Sequence, residues 1–306
     1  MMRLLMMLTL LAGLTPGAAQ AATPGDVLGV GRAVVQDLEE IRAKLDANAN
    51  AQEEIPVVGA SPREVFYQAE SLELKIVDLV KQRAGLDPRP LLLLPPAKIT
   101  PDHVLAVMQS AHRILGEGKQ ALGVGAPTRP QKVEKATPTD VYKTLMQANR
   151  QINLLLTTKI IPSDVYQRVE ESVQIAQILN AAHGDDATLD LPQLDLKKGP
   201  GDVYNQMIRC FRIIHQILSL SSVKSMDLET GHEAAQGTTP GDVYDLASLL
   251  YSEMAHLYFD LPKRPLTPGV GYPGPKKPGH VYQLAEALED QLLQLRKNVL
   301  QHAVAK

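Results

Sequence analysis

Apolar residues recur in this chain with a fixed rhythm behind a short proline-led signal. The signal is Pro, any residue, an acid or His, then Val. It occurs at Pro24–Val27, Pro62–Val65, Pro101–Val104, Pro138–Val141, Pro162–Val165, Pro200–Val203, Pro240–Val243 and Pro278–Val281. Counting Pro as one, apolar or small residues follow at positions four, eight, eleven, fifteen and eighteen. They are Val65, Ala69, Leu72, Ile76 and Leu79 in the second copy, and Val243, Ala247, Leu250, Met254 and Leu257 in the seventh. The eighth has Val281, Ala285, Leu288, Leu292 and Leu295. Alternating steps of four and three put all five on one stripe of an α-helix, so each copy predicts one amphipathic helix. Gly31, Gly118 and Ser172 are small exceptions on the stripe. A stripe needs cover, so the helices must pack on one another.

Each residue type in the signal suits a helix start. Thr23, Ser61, Thr100, Thr137 and Thr239 stand where a side chain can cap free backbone N–H groups. Pro fits the first helical position, where its missing N–H would be unpaired anyway. Asp26, Glu64, Asp140, Asp164, Asp202 and Asp242 can complete a capping box and meet the positive end of the helix dipole. His103 and His280 depart from that slot, and Ile161, Gly199 and Lys277 replace the cap residue, which predicts weaker starts.

Successive prolines lie 38, 39, 37, 24, 38, 40 and 38 residues apart. The single short interval falls in the middle. The expected fold is therefore all-α: eight helices from eight internal repeats, arranged as two similar four-helix halves, with long Pro-rich connectors. The halves are residues 22–160 and 161–306, joined by a short central link around Thr157–Ile161. A connector of ~14 residues can stretch over roughly 40 Å, enough to travel back along a helix of ~20 residues. Helices joined this way can run parallel, with the connector returning outside; antiparallel packing with loose loops is the alternative. The link has room only for a hairpin or sharp bend. Apolar clusters at Ile55–Val58, Leu91–Leu94 and Leu189, Leu191, Leu194 and Leu196 imply connectors pinned to helices or lining a groove. The fifth and sixth helices, enriched by Val173, Ile175, Phe211 and Ile213, should be the most buried. Glu73, Lys75, Glu289 and Gln291 should face outward.

Composition changes this picture in few places. Of 306 residues 44% are apolar, but only 4% are aromatic and Trp is absent, so the core must be aliphatic. The formal net charge is −3 without a basic tract, which argues against a nucleic-acid partner. Arg3, the apolar run Leu4–Leu14 and Ala19-Gln20-Ala21 resemble a secretory signal over residues 1–21, implying a periplasmic or secreted protein. No later stretch approaches a membrane span. Cys210 is the only cysteine and lies on a stripe, so an internal disulfide is excluded and a buried thiol expected.

Candidate chemistry is sparse. Tyr142, Tyr166, Tyr204, Tyr244 and Tyr282 each follow the signal's Val. Their rings can pack beside the seam or, if the helix starts cluster at one end, surround a ligand-binding mouth. His232-Glu233 begins like a zinc-protease helix, but Gln236 stands where the second His is required. His112, His215 and His256 lie on three helices without metal-ligand spacing. Asp185, Asp186, Asp190 and Asp195 lack the pattern of a calcium loop. Gly29-Val30-Gly31 and Gly123-Val124-Gly125 lack the ending of a phosphate loop. No catalytic residue, metal ligand or cofactor is assigned. The expected function is non-enzymatic binding of a protein or cell-envelope partner. The alternative is a small-molecule carrier or sensor with a cavity inside a four-helix half, where small stripe residues such as Ala69, Ala111, Ala148, Ala247 and Ala285 leave room.

Overall fold

Every repeat proline opens a helix. The helices are α1 (Pro24–Lys44), α2 (Pro62–Ala84), α3 (Pro101–Ala121), α4 (Pro138–Leu155), α5 (Pro162–Ala182), α6 (Pro200–Leu220), α7 (Pro240–Phe259) and α8 (Pro278–Val304). Two short strands, β1 (Val57–Val58) and β2 (Asp227–Leu228), pair antiparallel with Val57 opposite Leu228. The computed structural model describes residues 21–45, 57–91, 93, 98–156, 160–185, 188–221, 225–228, 237–262 and 270–304. The signal-like segment 1–20, most of the first connector, the link residues 157–159 and the His232-Glu233 pair lie outside the described residues.

The same bond starts all eight helices. The side chain two residues after Pro accepts from the backbone N–H of the residue before it. Asp26, Glu64, Asp140, Asp202 and Asp242 do so at 2.8 Å and Asp164 at 2.9 Å. His103 and His280 accept through Nδ1 at 3.0 Å, so they depart in residue type and keep the same job. That bond uses the tautomer with the proton on Nε2. Because the reverse bond needs no side chain before Pro, Ile161 and Gly199 begin helices without a capping hydroxyl.

Every stripe position is buried except Leu257, which is half-buried. α1 and α2 each pack against α3 and α4, while α5 and α6 each pack against α7 and α8. Pro24, Val27, Pro62, Val65, Pro101, Val104, Pro138 and Val141 surround one point, so the first turns of α1–α4 meet and these four helices run parallel. Pro162, Val165, Pro200, Val203, Pro240, Val243, Pro278 and Val281 do the same for α5–α8. The two groups meet mainly along α2 and α7. There Arg63 pairs with Glu253 and Lys75 with Asp245, so α2 and α7 run antiparallel.

Parallel neighbours require each long connector to travel the length of a helix, and three can be followed. The α3–α4 connector runs up α1: Asp37 accepts from Thr128 N (2.9 Å) and Oγ1 (2.7 Å), and Val133 N donates to the Gly25 carbonyl at 3.1 Å. A Cβ on Gly25 would sit 1.8 Å from the Val133 oxygen, so only glycine admits this approach. The α5–α6 connector runs up α8. Gln294 donates to Asp185 at 2.6 Å, Gln283 donates to the Pro192 carbonyl at 2.6 Å, and a Cβ on Gly279 would lie 2.3 Å from the Asp195 oxygen. The α7–α8 connector runs up α5, where Gln167 donates to the Val270 carbonyl at 3.2 Å. Ser163 Oγ donates to the Gly274 carbonyl and accepts from Lys276 N, both at 2.9 Å.

Two expectations are corrected. α7 carries thirteen buried residues, against nine on α5 and eleven on α6, because it packs against α2 as well as α5 and α6. Glu73, Lys75 and Gln291 are buried rather than outward. Glu73 accepts from Leu91 N at 2.9 Å, Lys75 meets Asp245 across the α2–α7 contact, and Gln291 accepts from Asn180 Nδ2 at 3.1 Å. Charged and polar groups enter the interior here because each has a partner.

Candidate functional site

The two clusters of helix starts form shallow dimples open to solvent, each with room for only about 10 Å³. Their walls are the proline and valine side chains named above, without a polar group. Pockets that bury a small molecule run to roughly 300–1,000 Å³ and carry a few placed polar groups.

The five candidate tyrosines stand one residue past the wall valines and face different surroundings. Tyr142 and Tyr204 are buried, whereas Tyr166, Tyr244 and Tyr282 are half-buried. The ammonium of Lys276 lies 4.3 Å from the Tyr166 ring centre, and that of Lys198 lies 4.4 Å from Tyr282. Both lysines belong to returning connectors, so these rings help to seat them through cation–π attraction. Tyr244 lies beneath Arg168, whose Nη2 donates to the Tyr244 oxygen at 3.1 Å. The structure does not gather the five into one site.

The three histidines also stay apart. His112 Nε2 is 3.5 Å from Asp37, His215 Nδ1 is 2.7 Å from Ser225 Oγ, and His256 Nε2 is 3.5 Å from Asp260. Among the described residues no group of three or more His, Cys, Asp or Glu is placed to hold a metal ion. Cys210 is buried on the α6 stripe, and burial pushes its thiol up, away from the reactive thiolate form.

Ionisable groups gather instead in the α2–α7 seam. Arg63 Nη2 donates to Glu64 Oε1 at 2.8 Å and to Glu253 Oε2 at 2.9 Å, and both carboxyl side chains are fully enclosed. Lys75 Nζ meets Asp245 Oδ1 at 2.6 Å. Tyr67 and Tyr251 stack edge to face, centres 6.0 Å apart. Arg168, from α5, lies 4.9 Å from the Tyr251 ring centre and bonds Glu171 at 2.8 Å. Tyr142 is fully enclosed, and its hydroxyl has no hydrogen-bond partner among the described residues. Burial and the neighbouring Glu64 raise the Glu253 carboxyl well above the ordinary range, with Arg63 pulling the other way. Burial lifts Glu70 to about 7 against the attraction of Arg168. Strongly perturbed groups of this kind are enriched at functional sites, although structural ion pairs produce them too.

The seam residues did not stand out in the repeat pattern, yet a signal was present. The second copy carries Arg63 and Glu64 where other copies have small residues, aspartate or histidine, and Arg63 reaches across to Glu253 of α7.

One surface feature has a different character. On the α5–α6 connector Leu189 is half-buried, while Leu191, Leu194 and Leu196 are 52%, 39% and 54% exposed. The backbone that carries them is held to α8 by Gln283 and by the close approach at Gly279.

The fold and its contacts define an all-α protein in which α1–α4 and α5–α8 each pack parallel while α2 meets α7 antiparallel. No helix among the described residues is long and apolar enough to cross a membrane. In comparisons with known proteins, no family model, no curated protein and no solved structure matches this chain.

Proposed function

We propose that this is a non-enzymatic helical repeat protein, periplasmic or secreted, that acts by binding a protein or cell-envelope partner. In this reading eight copies of one unit, a helix with its returning connector, form two similar four-helix modules, residues 22–160 and 161–306. The recurrence of one packing scheme in α1–α4 and α5–α8 supports that reading. The signal-like residues Arg3 to Ala21 support the location.

The observation that carries the binding function is the row Leu191, Leu194 and Leu196. Three exposed leucines on a backbone strapped to a helix are preorganised contact area, and presenting them to a partner costs little further ordering. The apolar dimples at the helix starts favour the carrier alternative less, being small and without polar anchors.

A photocrosslinking residue at position 194, introduced in the source cell, tests this. A discrete adduct is expected from position 194 and none from the exposed helix position Glu117. Equal adducts from both positions, or none, would contradict it. So would a hydrolytic or transfer activity abolished by one side-chain change.

A further inference from the structure

We propose that Glu64 and Glu253 together form a proton-binding site that couples ambient pH to the packing of α2 on α7. Three charge-bearing groups meet there with no access to solvent for the two carboxyls: the guanidinium of Arg63 and the carboxyls of Glu64 and Glu253. One cation facing two ionised carboxylates would leave an uncompensated negative charge in the interior, which is strongly disfavoured. One proton restores neutrality.

The bonding shows where that proton sits. Both oxygens of Glu64 are engaged: Oε1 accepts from Arg63 at 2.8 Å, and Oε2 accepts from Ser61 N at 2.8 Å and from the Ser61 hydroxyl. Glu253 Oε2 accepts from Arg63 at 2.9 Å, but its Oε1 has no donor facing it. The two enclosed carboxyls face one guanidinium, so one of them must carry a proton for the group to be neutral. The proton belongs on Glu253, whose Oε1 is enclosed and receives no donor, rather than on Glu64, whose two oxygens both accept. Burial disfavours the charge on Glu64, but the influence of Glu253, Arg63 and Ser61 holds its carboxyl below the ordinary value, while Glu253 moves up.

Other elements face the pair as well. From α4, the enclosed hydroxyl of Tyr142 lies within the field of both carboxyls, with Tyr204 of α6 beside it. From α7 itself, His256 is driven toward its neutral form by burial and by Arg63, against the pull of Asp260 and Glu64. From α5, Arg168 is committed to Tyr244, Tyr251 and Glu171. Arg63 is the one cation bonded to both carboxyls among the described residues.

A proton held more tightly in the folded seam than in the unfolded chain stabilises the seam at low pH. That stabilisation is lost as pH rises through the raised value of Glu253. On the alkaline side two carboxylates then repel across the main helix contact between α1–α4 and α5–α8.

The test uses the full chain and the variants Glu253→Gln and Glu70→Gln. Glutamine keeps an uncharged hydrogen-bond donor at every pH, and the Glu70 change removes a second carboxyl that titrates near neutrality. The Glu70→Gln protein is expected to show the infrared band of a protonated carboxylic acid at neutral pH, and the double variant to lack it. By small-angle scattering, the Glu70→Gln protein is expected to expand reversibly from neutral to alkaline pH while the double variant does not. Absence of the band at neutral pH overturns the proposal, as does the same expansion in both proteins. If the double variant does not fold, the band in the Glu70→Gln protein decides alone: its loss together with the expansion supports the site, and its absence or its persistence through the expansion overturns it.

Discussion

Position three of each helix start does one job with two chemistries. Six copies use a carboxylate and two use the Nδ1 of histidine, always to receive the N–H of the residue before Pro. His103→Ala should therefore cost about 1 kcal/mol, the usual size of a lost helix cap, while His103→Asp should not, as read by denaturant unfolding. Position fourteen is as informative. It is Ile114, Ile175 and Ile213 in three copies, all buried, which marks it as an interior position. Asp37, Lys75 and Glu253 hold the same position in other copies, and each is buried in an ion pair. Comparing copies in the sequence put Lys75 outside, and the structure buries it against Asp245 instead. The identity of the partners was not legible, because Asp245 and Arg63 come from a helix 170 and 190 residues away in the chain. Lys75→Met leaves Asp245 buried without its cation and should lower stability by roughly 3–5 kcal/mol, with much of it regained by adding Asp245→Leu.

Among the elements, the connectors decide the architecture. Their length in the sequence already allowed a return along a helix, and the short central interval already left room only for a hairpin or sharp bend. What could not be read was which helix each connector would follow. That depends on which corner of the group each helix occupies, a property of the packed state. Small residues at the second position now have a reason: Gly25 and Gly279 admit a connector backbone, and Ser163 bridges one. Gly25→Val should push the Val133 carbonyl away, destabilise by about 1–3 kcal/mol and expose the connector to trypsin near Arg129 and Lys132. Gly271→Ala, with nothing within 4 Å of the added atom, should leave both unchanged.

At the scale of the whole molecule, ionisable groups set opposite limits on stability. Hydrogen bonds from Thr23 hold Asp26 at about 2. Burial works against the charge on Asp37, but bonds from His112, Lys119 and Thr128 outweigh it and hold that carboxyl at about 2 as well. Both contribute stability above their unfolded value of 3.8 that is lost as pH falls through about 2. Glu70 has the reverse sign: its contribution is complete below its unfolded value of 4.5 and is lost as pH rises through about 7. Melting temperature should therefore fall toward strong acid and begin to fall again near neutrality, and Glu70→Gln should reduce the second decline. The eight stripes and their starts were open to inspection in the sequence, as was the break in the middle. The charged seam was not, because it depends on how the two groups of helices lie together.

Parallel packing within each group is the claim on which the rest depends, and distances between helix ends test it directly. Spin labels can be placed at the exposed residues Asp102, Gln120 and Asp140, since Cys210 is buried and does not compete for the reagent. The span from 102 to 120 corresponds to roughly 27 Å along a helix at 1.5 Å per residue. Pulsed electron resonance should find the 102–140 distance clearly shorter than the 120–140 distance, since both helix starts adjoin the same proline-lined point. The opposite order would mean that α3 and α4 run antiparallel, which would contradict both the shared meeting point of the helix starts and the returning path of the connector between them.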